Sequence, residues 1–224
     1  MEILSIIPAR GGSKGIPLKN TTLVSGKPLI YYTISSSLKS KVDRTVVSTD
    51  NKKIASVALK FGAEVVHRPK ILSTHKAQIE SSIGHTLNYL EKKESYIPDV
   101  IVLLQSTSPL RTHKHLNKAL KLFKSDNYDS VLSGYISHSL LWTRKKRMIK
   151  PLNYNPLKRQ NRQQMNNQYI ENGAIYITKY NFFKKSKCRI SGRIGIMEMP
   201  EELSLQIDSK YDLFLAEQIL KEIK

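Results

Sequence analysis

Short apolar runs alternate along this chain with segments of helical period, and polar loops close the runs. That pattern restricts the fold more than any other feature of the sequence. Residues 3–8 form an apolar run broken only by Ser5, as a strand buried on both faces of a parallel sheet requires. Pro28 suits the first position of a helix that would place Leu29, Tyr32 and Ser36 on one face. Residues 42–48 read as the next strand. Residues 52–60 read as a helix with Ile54, Val57 and Ala58 inward, capped by Asp50 or Asn51 and stopped at Phe61-Gly62. Residues 63–66 are a short strand ended by His67-Arg68-Pro69. Ile79, Ile83, Leu87 and Leu90 then recur at helical spacing. Residues 100–104 are the plainest buried strand. Leu116, Leu120 and Phe123 mark a further helix, and residues 129–132, 173–178 and 195–199 carry strand character. Residues 209–221 close the described pattern as a helix.

Strands and helices in alternation predict an α/β domain with a mainly parallel (mixed) sheet flanked by helices, in a Rossmann-like arrangement. Ligands of such sheets bind outside the carboxyl ends of the strands. Three polar loops fall at those ends: residues 10–20, Thr49-Asp50, and residues 105–111. One cleft is therefore expected in a single domain over residues 1–224. Residues 136–168 break the pattern with Trp142, the tetrad Arg144-Lys145-Lys146-Arg147 and a run rich in Asn and Gln. A stretch of that length reads as an excursion, part hairpin and part loop, of the kind used as a lid, binding loop or subunit contact.

The lone cysteine, Cys188, excludes an internal disulfide and zinc sites built on several cysteines. The opening residues are too short and too weakly basic for a signal peptide, and no apolar run reaches the roughly 18 residues of a membrane span. A cytoplasmic protein without membrane contact is expected. The formal net charge is +19, and between Arg144 and Arg193 Glu171 is the sole acid. Such a field attracts anions. It fits a solvated lysine-rich face, a funnel for anionic substrates, or nucleic-acid binding; no zinc finger or RNA-binding aromatic motif favours the last.

The loop Arg10-Gly11-Gly12-Ser13-Lys14-Gly15-Ile16-Pro17-Leu18-Lys19-Asn20 carries the most chemistry. Glycines let backbone N–H groups approach phosphate oxygens, and Arg10, Lys14 and Lys19 can neutralise them. The lysine precedes the last glycine, so this is not a Walker A loop, and Gly-x-Gly-x-x-Gly is absent. The alternative is a surface turn with solvated lysines.

Ile7-Pro8-Ala9-Arg10-Gly11-Gly12-Ser13-Lys14-Gly15 resembles the signature of the acylneuraminate cytidylyltransferases, the CMP-sialic acid synthetase family. Further matches follow in order: Ser48-Thr49-Asp50, Arg68-Pro69, Gln105-Ser106-Thr107-Ser108-Pro109-Leu110-Arg111, Arg162-Gln163, Tyr169, Glu171-Asn172-Gly173-Ala174-Ile175-Tyr176 and Ile207-Asp208-Ser209. The resemblance spans nearly the whole chain. It implies a homodimer whose excursion, residues 136–168, reaches over the partner's sugar site. It implies transfer of CMP from CTP to a free nonulosonic acid, an acidic nine-carbon sugar, with Mg²⁺ as cofactor. Arg10, Gly11, Gly12, Ser13, Lys14, Lys19, Asn20 and Arg68 would bind the nucleotide. Gln105, Arg162, Tyr169 and Asn172 would meet the sugar, and Lys19, Arg10 and Asp208 would carry catalysis.

The family usually presents Asp-Ile-Asp where this chain has Gln206-Ile207-Asp208. Asp208 is thus the expected metal ligand, alone with the CTP phosphates or helped by Asp50 or Glu171; an impaired metal site is the other outcome. His75 stands where the family commonly has aspartate, and Gln164-Met165-Asn166 where Asp-Leu-Pro is usual. These departures leave Kdo, legionaminic and pseudaminic acids open as acceptors, and a non-catalytic dimer as a rival. No general base is evident. Ile175 and Tyr176 read as core.

Overall fold

A computed structural model describes residues 1–13, 15–164 and 167–223, the side chain of Arg162 excepted. In chain order the elements begin with β1 (Ile3–Pro8), a small ribbon of β2 (Leu23–Val24) and β3 (Lys27–Pro28), and α1 (Leu29–Leu38). There follow β4 (Arg44–Thr49), α2 (Lys52–Lys60), β5 (Glu64–His67), α3 (Ile79–Glu94), β6 (Val100–Leu103) and α4 (His113–Ser125). β7 (Ser130–Ser137) leads into a hairpin of β8 (Trp142–Lys145) and β9 (Met148–Pro151). The chain returns through β10 (Gln168–Lys179), α5 (Tyr180–Ser186), β11 (Ile194–Glu198) and α6 (Lys210–Glu222).

Seven strands form the main sheet in the order β11-β7-β10-β6-β1-β4-β5. All neighbouring pairs are parallel except those of β10, which runs antiparallel to both β6 and β7. The expectation of a mainly parallel, mixed sheet flanked by helices therefore holds. Side chains alternate across β1 as strand geometry dictates. Ile3 and Ile7 enter one apolar cluster with Ile34, Ile54, Leu116 and Phe123 from α1, α2 and α4. Leu4 and Ile6 enter a second cluster with Ile83, Leu87 and Phe183 from α3 and α5. Ile175 and Tyr176 are buried on opposite faces of β10, as core.

Local signals account for several boundaries. Asn51, of the two caps considered, accepts hydrogen bonds from the Lys53 and Ile54 amides at the start of α2. Gly62, at φ +85°, turns the chain out of α2 toward β5. Pro28 stands just before α1 rather than within it.

A third, smaller apolar cluster positions the site. It joins Ile16 of the first loop to Val24, Leu29, Ile207 and Ala216. Burying Ile16 against Ile207 fastens the first loop to the segment that precedes α6. Gly15 completes that seam, since a Cβ there would lie 2.4 Å from the Asp208 carbonyl oxygen. The β8–β9 hairpin pairs only within itself and exposes Trp142, Met148 and Ile149. Among the described residues no helix is long and apolar enough to cross a membrane.

Candidate active site

The carboxyl ends of β1, β5 and β6 open on a cleft of about 300 Å³. β1 delivers Arg10 and, through the loop after it, Ser13, Lys19 and Asn20; β5 delivers Arg68; β6 delivers Gln105 and Ser106. Gln206 and Asp208 enter from the segment before α6.

Each cation is held differently. The Arg10 Nη1 donates to the Thr74 carbonyl at 3.1 Å, which leaves the rest of the guanidinium for a ligand. Lys19 begins a single 3-10 turn (Lys19–Thr21), and its ammonium donates to the Ile207 carbonyl at 2.6 Å and to Asp208 Oδ1 at 3.0 Å. Arg68 is almost fully buried; Nε donates to Ser73 Oγ at 2.8 Å and Nη1 to Ser82 Oγ. Burial pushes its pKa down, Asp50 opposes that, and the nearby Arg10 adds to it. Among the described residues no carboxylate forms an ion pair with Arg68; its hydrogen-bond partners are the neutral Ser73 and Ser82 hydroxyls, and Asp50 acts on it only at longer range. A buried cation in that state is costly until an anion reaches it.

The glycines divide in role. The Gly11 amide donates to Asp50 Oδ1 at 2.9 Å, and a Cβ there would collide with Asn51, so this glycine serves close packing. Among the described residues nothing lies within 4 Å of a Cβ built on Gly12. Asn20 is fixed from both ends: Nδ2 donates to the Arg10 carbonyl at 3.0 Å, and Oδ1 accepts from Ser106 Oγ at 2.6 Å. It therefore sets the path of the loop as it crosses the cleft floor.

A family model described as Cytidylyltransferase matches residues 4–224. The chain belongs to that family. It is 37% identical over 222 residues to N-acylneuraminate cytidylyltransferase A of Danio rerio, covering 97% of this chain and 50% of that protein. It is 34% identical over 226 residues to the N-acylneuraminate cytidylyltransferase of Escherichia coli O18:K1:H7, covering 96% and 51%. The chain thus spans about half the length of the curated relatives it matches. The solved structure of a CMP:2-keto-3-deoxy-manno-octonic acid synthetase complexed with CTP superposes with a TM-score of 0.74 at 15% identity, covering 100% of each chain. A 4-diphosphocytidyl-2C-methyl-D-erythritol synthase from Anaerococcus prevotii superposes with a TM-score of 0.69 at 14% identity, covering 98% of this chain and 96% of that one. These two likenesses are of fold. The resemblance drawn from the ordered motifs is borne out.

For this cytidylyltransferase-family chain, the structure brings Arg10, Ser13, Lys19, Asn20, Arg68, Gln105 and Asp208 to one cleft. Asn172 stands behind it. Its side chain is buried, accepting from Ser133 Oγ at 2.6 Å and donating to Ser204 Oγ at 2.9 Å, so its amide is consumed inside the protein. Tyr169 lies half-exposed on β10 and does not line the cleft. Lys14 and the side chain of Arg162 lie outside the described residues, as do Met165 and Asn166.

Two residues have roles that the sequence alone did not single out. Ser106 locks Asn20, and Arg111 underlies the Gln105 loop. Arg111 Nη1 donates to the Ala174 carbonyl at 2.8 Å and the Gln105 carbonyl at 3.2 Å, and Nη2 is buried without a partner among the described residues. Burial lowers the Arg111 pKa to about 9, which leaves it charged at neutral pH. The Gln105–Arg111 motif contained that cation, but nothing local marked it as buried.

Magnesium takes octahedral oxygen ligands, commonly one or two carboxylates completed by substrate phosphates. Among the described residues no group of three or more His, Cys, Asp or Glu could hold a metal ion. Asp208 is well exposed at the cleft, and Lys19 contacts its Oδ1. The donor set therefore fits an ion carried in on a triphosphate and met by one carboxylate. It does not fit a site built by the protein alone.

Proposed function

We propose that this chain transfers CMP from CTP to a free nonulosonic, sialic-acid-like acid, releasing pyrophosphate. The observation that carries the reading is the convergence of Arg10, Lys19 and Arg68 on one cleft that also presents neutral polar side chains. Three cations suit the three phosphoryl groups of a nucleoside triphosphate. Neutral polar side chains in its lining, Gln105, Ser106 and Thr107, suit a polyhydroxylated acceptor. The curated relatives, named for N-acylneuraminate, support the choice of sugar.

In this reaction the anomeric hydroxyl oxygen of the acid bonds to the α-phosphorus of CTP and gives up its proton to solvent, while the bond from that phosphorus to the bridging oxygen of the β-phosphate breaks and pyrophosphate leaves. Charge grows on the equatorial oxygens, and fixed cations stabilise it without reorganising. Lys19 is anchored by two oxygens on its own chain and would place its ammonium at the α-phosphate. Arg68 and Arg10 would hold the other phosphates. Asp208 would hold Mg²⁺ brought with CTP, which supplies further charge to the transferring group.

Residues 1–224 act in this reading as one domain, and residues 136–168 as the element of a homodimer that covers the partner's sugar site. Exposed Leu141, Trp142, Met148 and Ile149 on the self-paired hairpin support this. The lack of a membrane-crossing helix among the described residues agrees with a cytoplasmic protein.

The test is pyrophosphate release with each of the four common nucleoside triphosphates against N-acetylneuraminic, legionaminic, pseudaminic and 2-keto-3-deoxy-octonic acids, with Mg²⁺. Release with CTP and a nine-carbon acid is expected. No release with CTP and any of these acids overturns the reading.

A further inference from the structure

Gln206 lines the cleft, and its amide is held in one orientation. Its Nε2 donates to the Asn172 main-chain carbonyl at 2.5 Å. A carbonyl oxygen can only accept, so this contact fixes which face of the amide is nitrogen. Oε1 is turned away from that carbonyl and accepts nothing from the described residues. The anchor is rigid, because the buried Asn172 side chain is bonded to Ser133 and Ser204. Gly173 next to it stands at φ +65° within an irregularity of β10. A Cβ on Gly173 would lie 2.3 Å from Gln206 Nε2 and 2.9 Å from Gln105 Oε1. Two amides therefore close over one glycine, and both line the cleft. A glutamate at position 206, of the same length, would set oxygen against oxygen at Asn172, with no proton between them.

We propose that Gln206 is a specificity-determining residue for the acceptor: held by the Asn172 carbonyl, its amide binds a hydroxyl group of the sugar acid beside Gln105. The inference rests on the proposed transfer to a sugar acid and names a further residue of that site. A polar group fixed in advance to bond a substrate hydroxyl discriminates strongly, because a wrong ligand leaves it unpaired.

The test uses Gln206→Leu, which removes the amide, and Gln206→Glu, which keeps its length but loses the donor to Asn172. Binding of N-acetylneuraminic acid to CDP-loaded protein is followed by saturation-transfer NMR, and CTP affinity by calorimetry. Both variants are expected to weaken acid binding at least about tenfold, and to raise the acceptor KM to match, with CTP affinity within about twofold. Preserved CTP affinity also certifies the fold of each variant, and if one fails to fold the other decides. Acid binding equal to wild type in a folded variant overturns the assignment, as does acid that fails to bind wild-type protein. It is equally overturned if Gln206→Asp binds Mn²⁺ in the CTP-free protein, by electron paramagnetic resonance, with acid binding unchanged from wild type. Wild-type protein that binds the acid yet releases no pyrophosphate would bring down the transfer reaction and leave the amide contact standing.

Discussion

Replacing Lys19 with alanine separates chemistry from scaffolding, because the structure gives different sizes to the two effects. The ammonium sits between the Ile207 carbonyl and Asp208 Oδ1, and the Lys19 side chain is only 13% exposed while that of Asp208 is 76% exposed. An ion pair to so exposed a carboxylate stabilises the fold by about 1 kcal/mol at most. The carbonyl hydrogen bond adds a net ~1 kcal/mol. A total near 2 kcal/mol lowers Tm by roughly 4–8 °C in a domain of this size. Removing a fixed donor aimed at developing charge costs about 2.7–4 kcal/mol of transition-state stabilisation, or roughly 10²–10³ in kcat. Lys19→Ala should therefore remain folded at 25 °C and lose at least about a hundredfold in turnover. Initial rates of pyrophosphate release at saturating CTP, beside thermal unfolding of the same sample, measure both. A folded variant with kcat within threefold of wild type would refute the role given to Lys19. So would a rate loss that disappears once the unfolded fraction is subtracted.

Three further outcomes are expected. Arg68→Met should weaken CTP binding by roughly ten- to a hundredfold, the scale of a hydrogen bond to a charged group. It should leave the ligand-free Tm unchanged or raised, because a desolvated cation without a carboxylate partner is exchanged for an apolar chain; a calorimetric titration and a melt decide it, and unchanged CTP affinity would count against Arg68. Gly15→Ala sets a Cβ against the Asp208 carbonyl and should cost about 1–3 kcal/mol of stability through overpacking. Gly12→Ala, with none of the described residues within 4 Å of its Cβ, should leave Tm alone yet weaken CTP, and equal behaviour of the two in paired melts and titrations would contradict the division of the glycines. Burial, with Arg68 adding to it, holds the His85 pKa below its ordinary value, and Nδ1 is buried without a partner among the described residues. The unfolded chain then binds more protons, so stability from this group is fully present above about pH 6.5 and is lost as pH falls through the lower folded value. Melts from pH 7 to 5 should fall less steeply in His85→Leu, and an identical slope would exclude His85 as a contributor.

What the sequence made legible follows the range of the forces involved. β1 is read to the residue from one apolar run interrupted only by Ser5, and α2 from a period, a cap offered by Asp50 or Asn51 and a stop at Phe61-Gly62, all of which act within a few positions. Of the three polar loops expected at one cleft, those after β1 and β6 line it, because parallel strands end on the same side of a sheet, whereas Thr49-Asp50 at the end of β4 does not and the end of β5, with Arg68, does. The reversed direction of β10 is not encoded in residues 173–178, whose pattern is the same in either direction; it comes from pairing with both β6 and β7. β7 and β10 also run into the stretch taken as excursion, as far as Ser137 and back from Gln168, because pairing continues there through residues of mixed polarity. α5 went unread, since its seven residues are too few to show a period. The site divides in the same way. Lys19 and Asp208 are 189 positions apart and meet because Ile16 packs with Ile207, a contact that two isolated isoleucines cannot announce. Gln206 read as a lost carboxylate when set beside a motif, and reads as an oriented amide once the Asn172 carbonyl lies against it. The chemistry of each group is thus local, whereas its partner is a property of the fold, and in this cleft the partner decides whether a side chain holds charge, sets a loop or faces the substrate.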